Sequence, residues 1–149
     1  MPRLLVVHHT PSPNLQAVLE AAREGAAMVE EAELVERPAL SAGPADLLAA
    51  DGVLLGTPAN IGYMSGALKH FFDTVYYPCL DATVGLPFGV WVHGGDDTAG
   101  ALRAITTITG ALRWKQVAAP LSLTGAPSKD DLEAVRELAA TVAVSLEDR

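Results

Sequence analysis

Three short stretches hold the side chains that could do chemistry. The first is His9-Thr10-Pro11-Ser12-Pro13-Asn14-Leu15. Two hydroxyls and an amide gather there just ahead of a helical segment. At such a place free backbone N–H groups and the positive end of the helix dipole favour an anion. Thr10, Ser12 and Asn14 are donors suited to a compact tetrahedral phosphate. They are equally ordinary capping and turn residues, and alone this loop reads first as that.

The second stretch, residues 56–62, reads GTPANIG. Gly56 and Gly62 permit tight or left-handed backbone, and Pro58 fixes φ. Asn60 tolerates the left-handed region and offers an amide. Ile61, Tyr63 and Met64 put apolar and aromatic surface into what reads as a loop. A flat heteroaromatic ring would use polar contacts at its edge and apolar cover over its face. A hydrophobic loop tucked onto the core would use the same residues. The third stretch is His93-Gly94-Gly95-Asp96-Asp97-Thr98. Paired glycines let a backbone approach a ligand closely, and Asp97 or Thr98 suits the N-cap of the next helix. Histidine exchanges protons near neutral pH, so His93 is a candidate donor to a substrate. A ring satisfied by local backbone is the alternative.

Several chemistries are excluded by missing patterns. No G-x-G-x-x-G, no G-x-x-x-x-G-K-[ST] and no G-x-S-x-G occurs, which removes the motif-based dinucleotide, P-loop and serine-hydrolase readings. His8 and His9 are neighbours at a strand end, point to opposite sides and make a poor metal pair.

Elements that place these stretches alternate along the chain. Continuous apolar runs at 4–8 and 86–93 read as strands buried on both faces. Shorter strands are predicted at 33–36, 53–55 and 116–123. Helical spacing appears at 14–29, with Asn14 as N-cap, and at 44–48, 68–75, 98–112 and 129–146. Leu68, Phe71, Phe72 and Val75 form one buried stripe; Lys69 and Asp73 pair on the exposed side. His70 faces solvent in this reading. The pattern predicts an α/β fold: a five-stranded parallel sheet of order 2-1-3-4-5 with helices on both faces. Ligands of such sheets sit outside the carboxyl ends of the strands, where all three stretches fall.

The 149 residues suit one domain, 1–149, with half of them apolar. No run approaches the roughly 18 apolar residues of a membrane span, and Met1-Pro2-Arg3 leads straight into Leu4-Leu5-Val6-Val7 without a signal-peptide pattern. A net charge of −8 argues against nucleic acid. The single Cys79 excludes an intrachain disulfide and fits a reducing cytoplasm.

The stretch GTPANIGYMSGALKHFFD, residues 56–73, resembles the strand-3 signature of the flavodoxin-like superfamily, in its NAD(P)H-dependent FMN reductase and quinone reductase branch. The resemblance implies a flavodoxin-like three-layer sandwich that binds FMN noncovalently. Thr10, Ser12, Asn14 and the Leu15 amide would then hold the phosphate. Pro58, Ala59, Asn60, Ile61 and Gly62 would border the isoalloxazine, and His93, Gly94, Gly95 and Asp97 would close its third side. His93 and Tyr63 are the catalytic candidates, touching the acceptor or assisting protonation. Pro13 and Leu15 depart from the branch's Ser-x-Thr-Gly-Asn-Thr phosphate loop, removing one N–H and one hydroxyl.

What the resemblance implies first is an enzyme that passes electrons from NADH or NADPH through FMN to a quinone-like acceptor. A short flavodoxin acting as an electron carrier is the alternative, and a flavodoxin-like binding protein that has lost FMN is a third. The branch also implies a possible homo-oligomer. The apolar run Val75-Tyr76-Tyr77-Pro78-Cys79-Leu80, placed after the helix, is a candidate contact surface, and a loop tucked onto its own core would explain it equally well.

Overall fold

A computed structural model describes residues 1–147. In chain order the elements are β1 (Arg3–His8), α1 (Pro13–Ala27), β2 (Glu33–Pro38), α2 (Pro44–Leu48), β3 (Gly52–Asn60), β4 (Tyr63–Met64), α3 (Gly66–Cys79), β5 (Pro87–Gly94), α4 (Ala99–Ala111), β6 (Lys115–Gln116), β7 (Leu121–Thr124) and α5 (Lys129–Val144). The sheet runs β2-β1-β3-β5, and β6 and β7 both lie along β5. Every one of these pairings is parallel. This is the expected 2-1-3-4-5 order, with the last strand in two pieces.

The split has a chemical cause. The strand expected at 116–123 contains Pro120, which has no N–H to give to a ladder. Pairing with β5 stops after Gln116, apart from a bond from the Val117 amide to the Phe88 carbonyl at 3.1 Å, and resumes at Leu121.

Why the central strands are continuous apolar runs is now plain. Successive side chains alternate between faces. Leu4, Val6, Leu54 and Trp91 pack under α1 and α5, while Leu5, Val7, Leu55, Val90 and Val92 pack under α2, α3 and α4. Each face therefore needs its own apolar set, at roughly 1.5–3 kcal/mol per fully buried Leu, Ile, Val or Phe. Leu68, Phe71, Phe72 and Val75 are all buried, as their spacing predicts, and Lys69 pairs with Asp73 at 2.6 Å on the exposed side.

The run expected to follow that helix belongs to it instead: α3 continues through Pro78 to Cys79. Val75 and Cys79 point into the core while Tyr77 is 83% exposed. The helical period thus divides these residues between core and solvent.

Candidate functional site

The three stretches leave the carboxyl ends of adjacent strands. His8 is in register with Gly56, Pro58 with His93, and Gly94 with Thr124. The β1–α1, β3–β4 and β5–α4 segments consequently rise side by side from one end of the sheet.

In the first segment the N-cap is Ser12, not Asn14. Ser12 is extended, and its Oγ accepts from the Leu15 amide at 3.3 Å. Pro13 takes the first helical position, where its missing N–H leaves no helical bond unmade. The Leu15 amide is therefore committed to the cap, while the Ser12 hydroxyl hydrogen stays available for a further acceptor. Asn14 is half-buried in the first turn, and among the described residues its side chain makes no hydrogen bond. Thr10 is half-buried, with Oγ1 2.8 Å from His8 Nδ1.

The second segment is not the loop expected at 56–62. β3 extends to Asn60 and returns directly as β4, with Asn60 opposite Tyr63 and Ala59 opposite Met64. Ile61 and Gly62 form the two-residue turn at φ 50° and 72°. Such hairpin turns require positive φ at both positions, which suits Gly62 and strains a β-branched Ile61. Ile61 is nonetheless fully exposed.

Two hydroxyls hold this hairpin in place. Buried Thr57 accepts from the Ser65 amide at 3.0 Å and donates to the Pro58 carbonyl at 2.8 Å. Ser65 caps α3, accepting from the Leu68 amide at 3.1 Å. Gly100, in the first turn of α4, abuts the Gly62 carbonyl so closely that a Cβ there would overlap the oxygen. Beside the hairpin a cavity of about 390 Å³ opens between α3 and α4, with Tyr63, Lys69, Arg103 and Ile108 in its wall.

The third segment is tied to the end of β7. His93 Nε2 donates to the Gly125 carbonyl at 2.7 Å, so the ring is satisfied by backbone and Nδ1 is its remaining polar atom. The Gly125 amide donates to the Gly94 carbonyl at 3.2 Å, and the Thr98 hydroxyl to Ser122 Oγ at 3.0 Å. Thr98 is the N-cap of α4, yet its side chain makes no capping bond. Asp97 Oδ1 accepts from the Ala99 amide at 3.0 Å instead. A Cβ at Gly95 would meet nothing within 4 Å, so backbone there lies open to a neighbour.

Beneath these segments lie residues that motif reading misses. Trp91 is buried against Gly56, where a Cβ would overlap the indole ring, and its Nε1 has no partner among the described residues. His8 is only 8% exposed. Its Nε2 stands 3.3 Å from Glu36 Oε1, out of line for a hydrogen bond. Arg23 holds Glu36 through Nε and Nη2, each at 2.7 Å. That pair keeps the Glu36 carboxyl below its usual range, and burial pushes the His8 imidazole down against the pull of the carboxylate. Among the described residues no cluster of His, Cys, Asp and Glu could hold a metal ion, and no helix is long and apolar enough to cross a membrane.

The chain is similar to several known proteins. A flavodoxin of Aquifex aeolicus (strain VF5) is 32% identical over 105 residues, covering 66% of this chain and 56% of that protein. An NAD(P)H dehydrogenase (quinone) of Acidithiobacillus ferrooxidans is 28% identical over 124 residues, covering 66% and 62%. The chain thus spans less than two thirds of the length of either relative. Among solved structures, a flavodoxin from the domain Archaea superposes with a TM-score of 0.82 at 17% identity, over 95% of this chain and 96% of that one. The WrbA-like flavodoxin of Agrobacterium tumefaciens gives 0.74 at 23% identity, over 96% and 95%. These structural likenesses establish the flavodoxin-like fold. A family model described as NADPH-dependent FMN reductase matches residues 24–123. The chain therefore belongs to the NADPH-dependent FMN reductase family, a flavodoxin-like group of FMN-binding oxidoreductases.

Proposed function

We propose that this chain holds FMN across the three segments and passes electrons from NADH or NADPH to a quinone-like acceptor. The observation that carries the reading is Ile61. A β-branched residue at positive φ costs on the order of 1–2 kcal/mol, and full exposure returns nothing from the protein's own packing. An apolar side chain held in that state on one segment, and open glycine backbone at Gly95 on the neighbouring segment, fit a flat ring that both would border. The donor set of the first segment fits a phosphate: the hydroxyls of Thr10 and Ser12, the amide of Asn14 and the start of α1.

Bound there, FMN would supply hydride and electron transfer between the two substrates. The chain's part is to bind and orient. Thr10, Ser12 and Asn14 take the phosphate; Pro58, Ala59, Asn60, Ile61 and Gly62 border one edge of the ring; Gly94, Gly95 and Asp97 border another. Tyr63 and His93 are assigned to contact with the acceptor, His93 through Nδ1. Purified protein loaded with FMN should oxidise NADH or NADPH when a quinone is supplied. Failure with both nucleotides and a panel of quinones would sink the proposal.

A second reading is an electron carrier, favoured by the relative named flavodoxin and by a net charge of −8 suited to basic redox partners. A redox titration that resolves two well-separated one-electron steps, with no NAD(P)H oxidation, would favour it. Absence of FMN binding at micromolar concentration would leave the third reading, a binding protein without the cofactor.

A further inference from the structure

We propose that His8 is a positioning residue for the phosphate: the proton on its ring sets whether the Thr10 hydroxyl turns a lone pair or a hydrogen toward a bound anion. This rests on the reading of the first segment as the phosphate site of FMN. It goes beyond that reading in making phosphate binding conditional on a buried histidine outside the loop.

Four side chains, from three elements and the loop, are linked here. Arg23 of α1 fixes Glu36 of β2 by two bonds of 2.7 Å, so the carboxylate is ionised and acceptor-only. Its Oε1 lies 3.3 Å from His8 Nε2. A bare nitrogen lone pair facing a carboxylate at that distance is repelled, whereas an N–H is attracted. The neutral ring therefore carries its one proton on Nε2, and Nδ1 is an acceptor. Nδ1 is 2.8 Å from Thr10 Oγ1, so the hydroxyl must donate its only hydrogen downward to the ring. In that state Thr10 presents oxygen lone pairs to the space above the loop, which repel a phosphate.

A second proton on the ring reverses the bond. Nδ1–H then donates to Thr10 Oγ1, and the hydroxyl hydrogen is released for an anion. The added positive charge beneath the loop works in the same direction. The charged and titratable groups facing the ring are Glu36 on β2, Arg23 on α1 and His9 beside it. Only Glu36 favours the charged ring, and the ring is 8% exposed, so solvent has little access to stabilise the proton. A phosphate supplies the missing stabilisation. By linkage, an anion that binds the protonated form better must hold the proton on by the same factor.

The ligand's own second ionisation lies near pH 6, so an affinity profile alone would mix two titrations. The ring is read directly instead. The full chain, labelled with ¹⁵N-histidine, is titrated by NMR from about pH 5 to about pH 8, alone, with riboflavin and with FMN. Without flavin, His8 should be the Nε2–H tautomer. FMN should raise its midpoint by about one unit, a coupling of about tenfold, and riboflavin, which lacks the phosphate, should not. Thr10→Ser should keep the FMN effect and Thr10→Val should diminish it, leaving only the part due to the ring's charge, with riboflavin affinity serving as the check on folding. An Nδ1–H tautomer, an equal midpoint with both flavins, or an undiminished shift in Thr10→Val overturns the inference. A chain that binds both flavins with His8 indifferent overturns this inference alone; one that binds neither overturns the proposed function with it.

Discussion

Gly100 and Gly62 meet backbone to side-chain-less backbone: the first turn of α4 presses on the carbonyl of the β3–β4 turn with no room for a methyl group. The helix that follows the third segment thereby sets the height of the second. Gly100→Ala should force the turn away from α4. Overpacking of this kind costs about 1–3 kcal/mol, which at this size is a fall in Tm of roughly 2–12 °C. FMN affinity should fall as well, about tenfold or more, because the residues proposed to border the ring move with the turn. Calorimetry and flavin fluorescence quenching measure the two effects on one sample. An unchanged Kd would disconnect the helix from the site.

Ile61→Gly separates stability from binding. Glycine relieves the positive φ but adds entropy to the unfolded chain, so the two effects largely offset and the free protein should unfold within about 0.5 kcal/mol of the parent. Losing the proposed apolar cover should weaken FMN by about tenfold. A variant that loses stability and keeps affinity would assign Ile61 to the fold.

Thr57→Val tests the clasp under the hairpin. The Ser65 amide is buried and would lose its acceptor, at about 1–3 kcal/mol. Urea unfolding should show a lower midpoint with an unchanged m-value. A change in m would mean that the hairpin detaches before the rest of the chain unfolds.

The pH dependence of the flavin-free chain has a definite sign. The His8 pKa is lowered by burial, so below its ordinary value of 6.5 the unfolded chain takes the proton more readily and folding loses stability. Glu36 is lowered by Arg23; its contribution is present above about 4.5 and is lost as pH falls through the lower folded value. Melting temperature should therefore drop in two stages on acidification. His8→Gln should remove the upper stage and keep the lower. A single stage near the carboxylate range in the parent would contradict the burial of a neutral His8.

How much of this was legible in the residues varies by element. The alternation of strands and helices, and the order of the sheet, follow from apolar runs long enough to serve two faces, as in Leu4-Leu5-Val6-Val7. The hairpin was hidden because Ile61 stands where a two-residue turn wants Asn, Asp or Gly. Ser12 and Asn14 are both good caps, and only the position of Pro13 at the first helical residue separates them. Pro120 was present in the predicted last strand and is what breaks it. In linear sequence His8 is only half of a poor metal pair with His9. Its partners Arg23 and Glu36 come from a helix and a neighbouring strand, and nothing in linear spacing joins them. The contact between Gly62 and Gly100 is invisible for the same reason.

The broken last strand has a consequence for solubility. A half-apolar chain with long central strands is at risk of adding strands from other copies along its sheet edges. At one edge β6 and β7 offer only short lengths of ladder, separated by Pro120. At the other, β2 reads Glu-Leu-Val-Glu-Arg-Pro, with charged side chains and a terminal proline. Neither border is a good template for β-aggregation, so the same proline that divides the strand also protects the protein at high concentration.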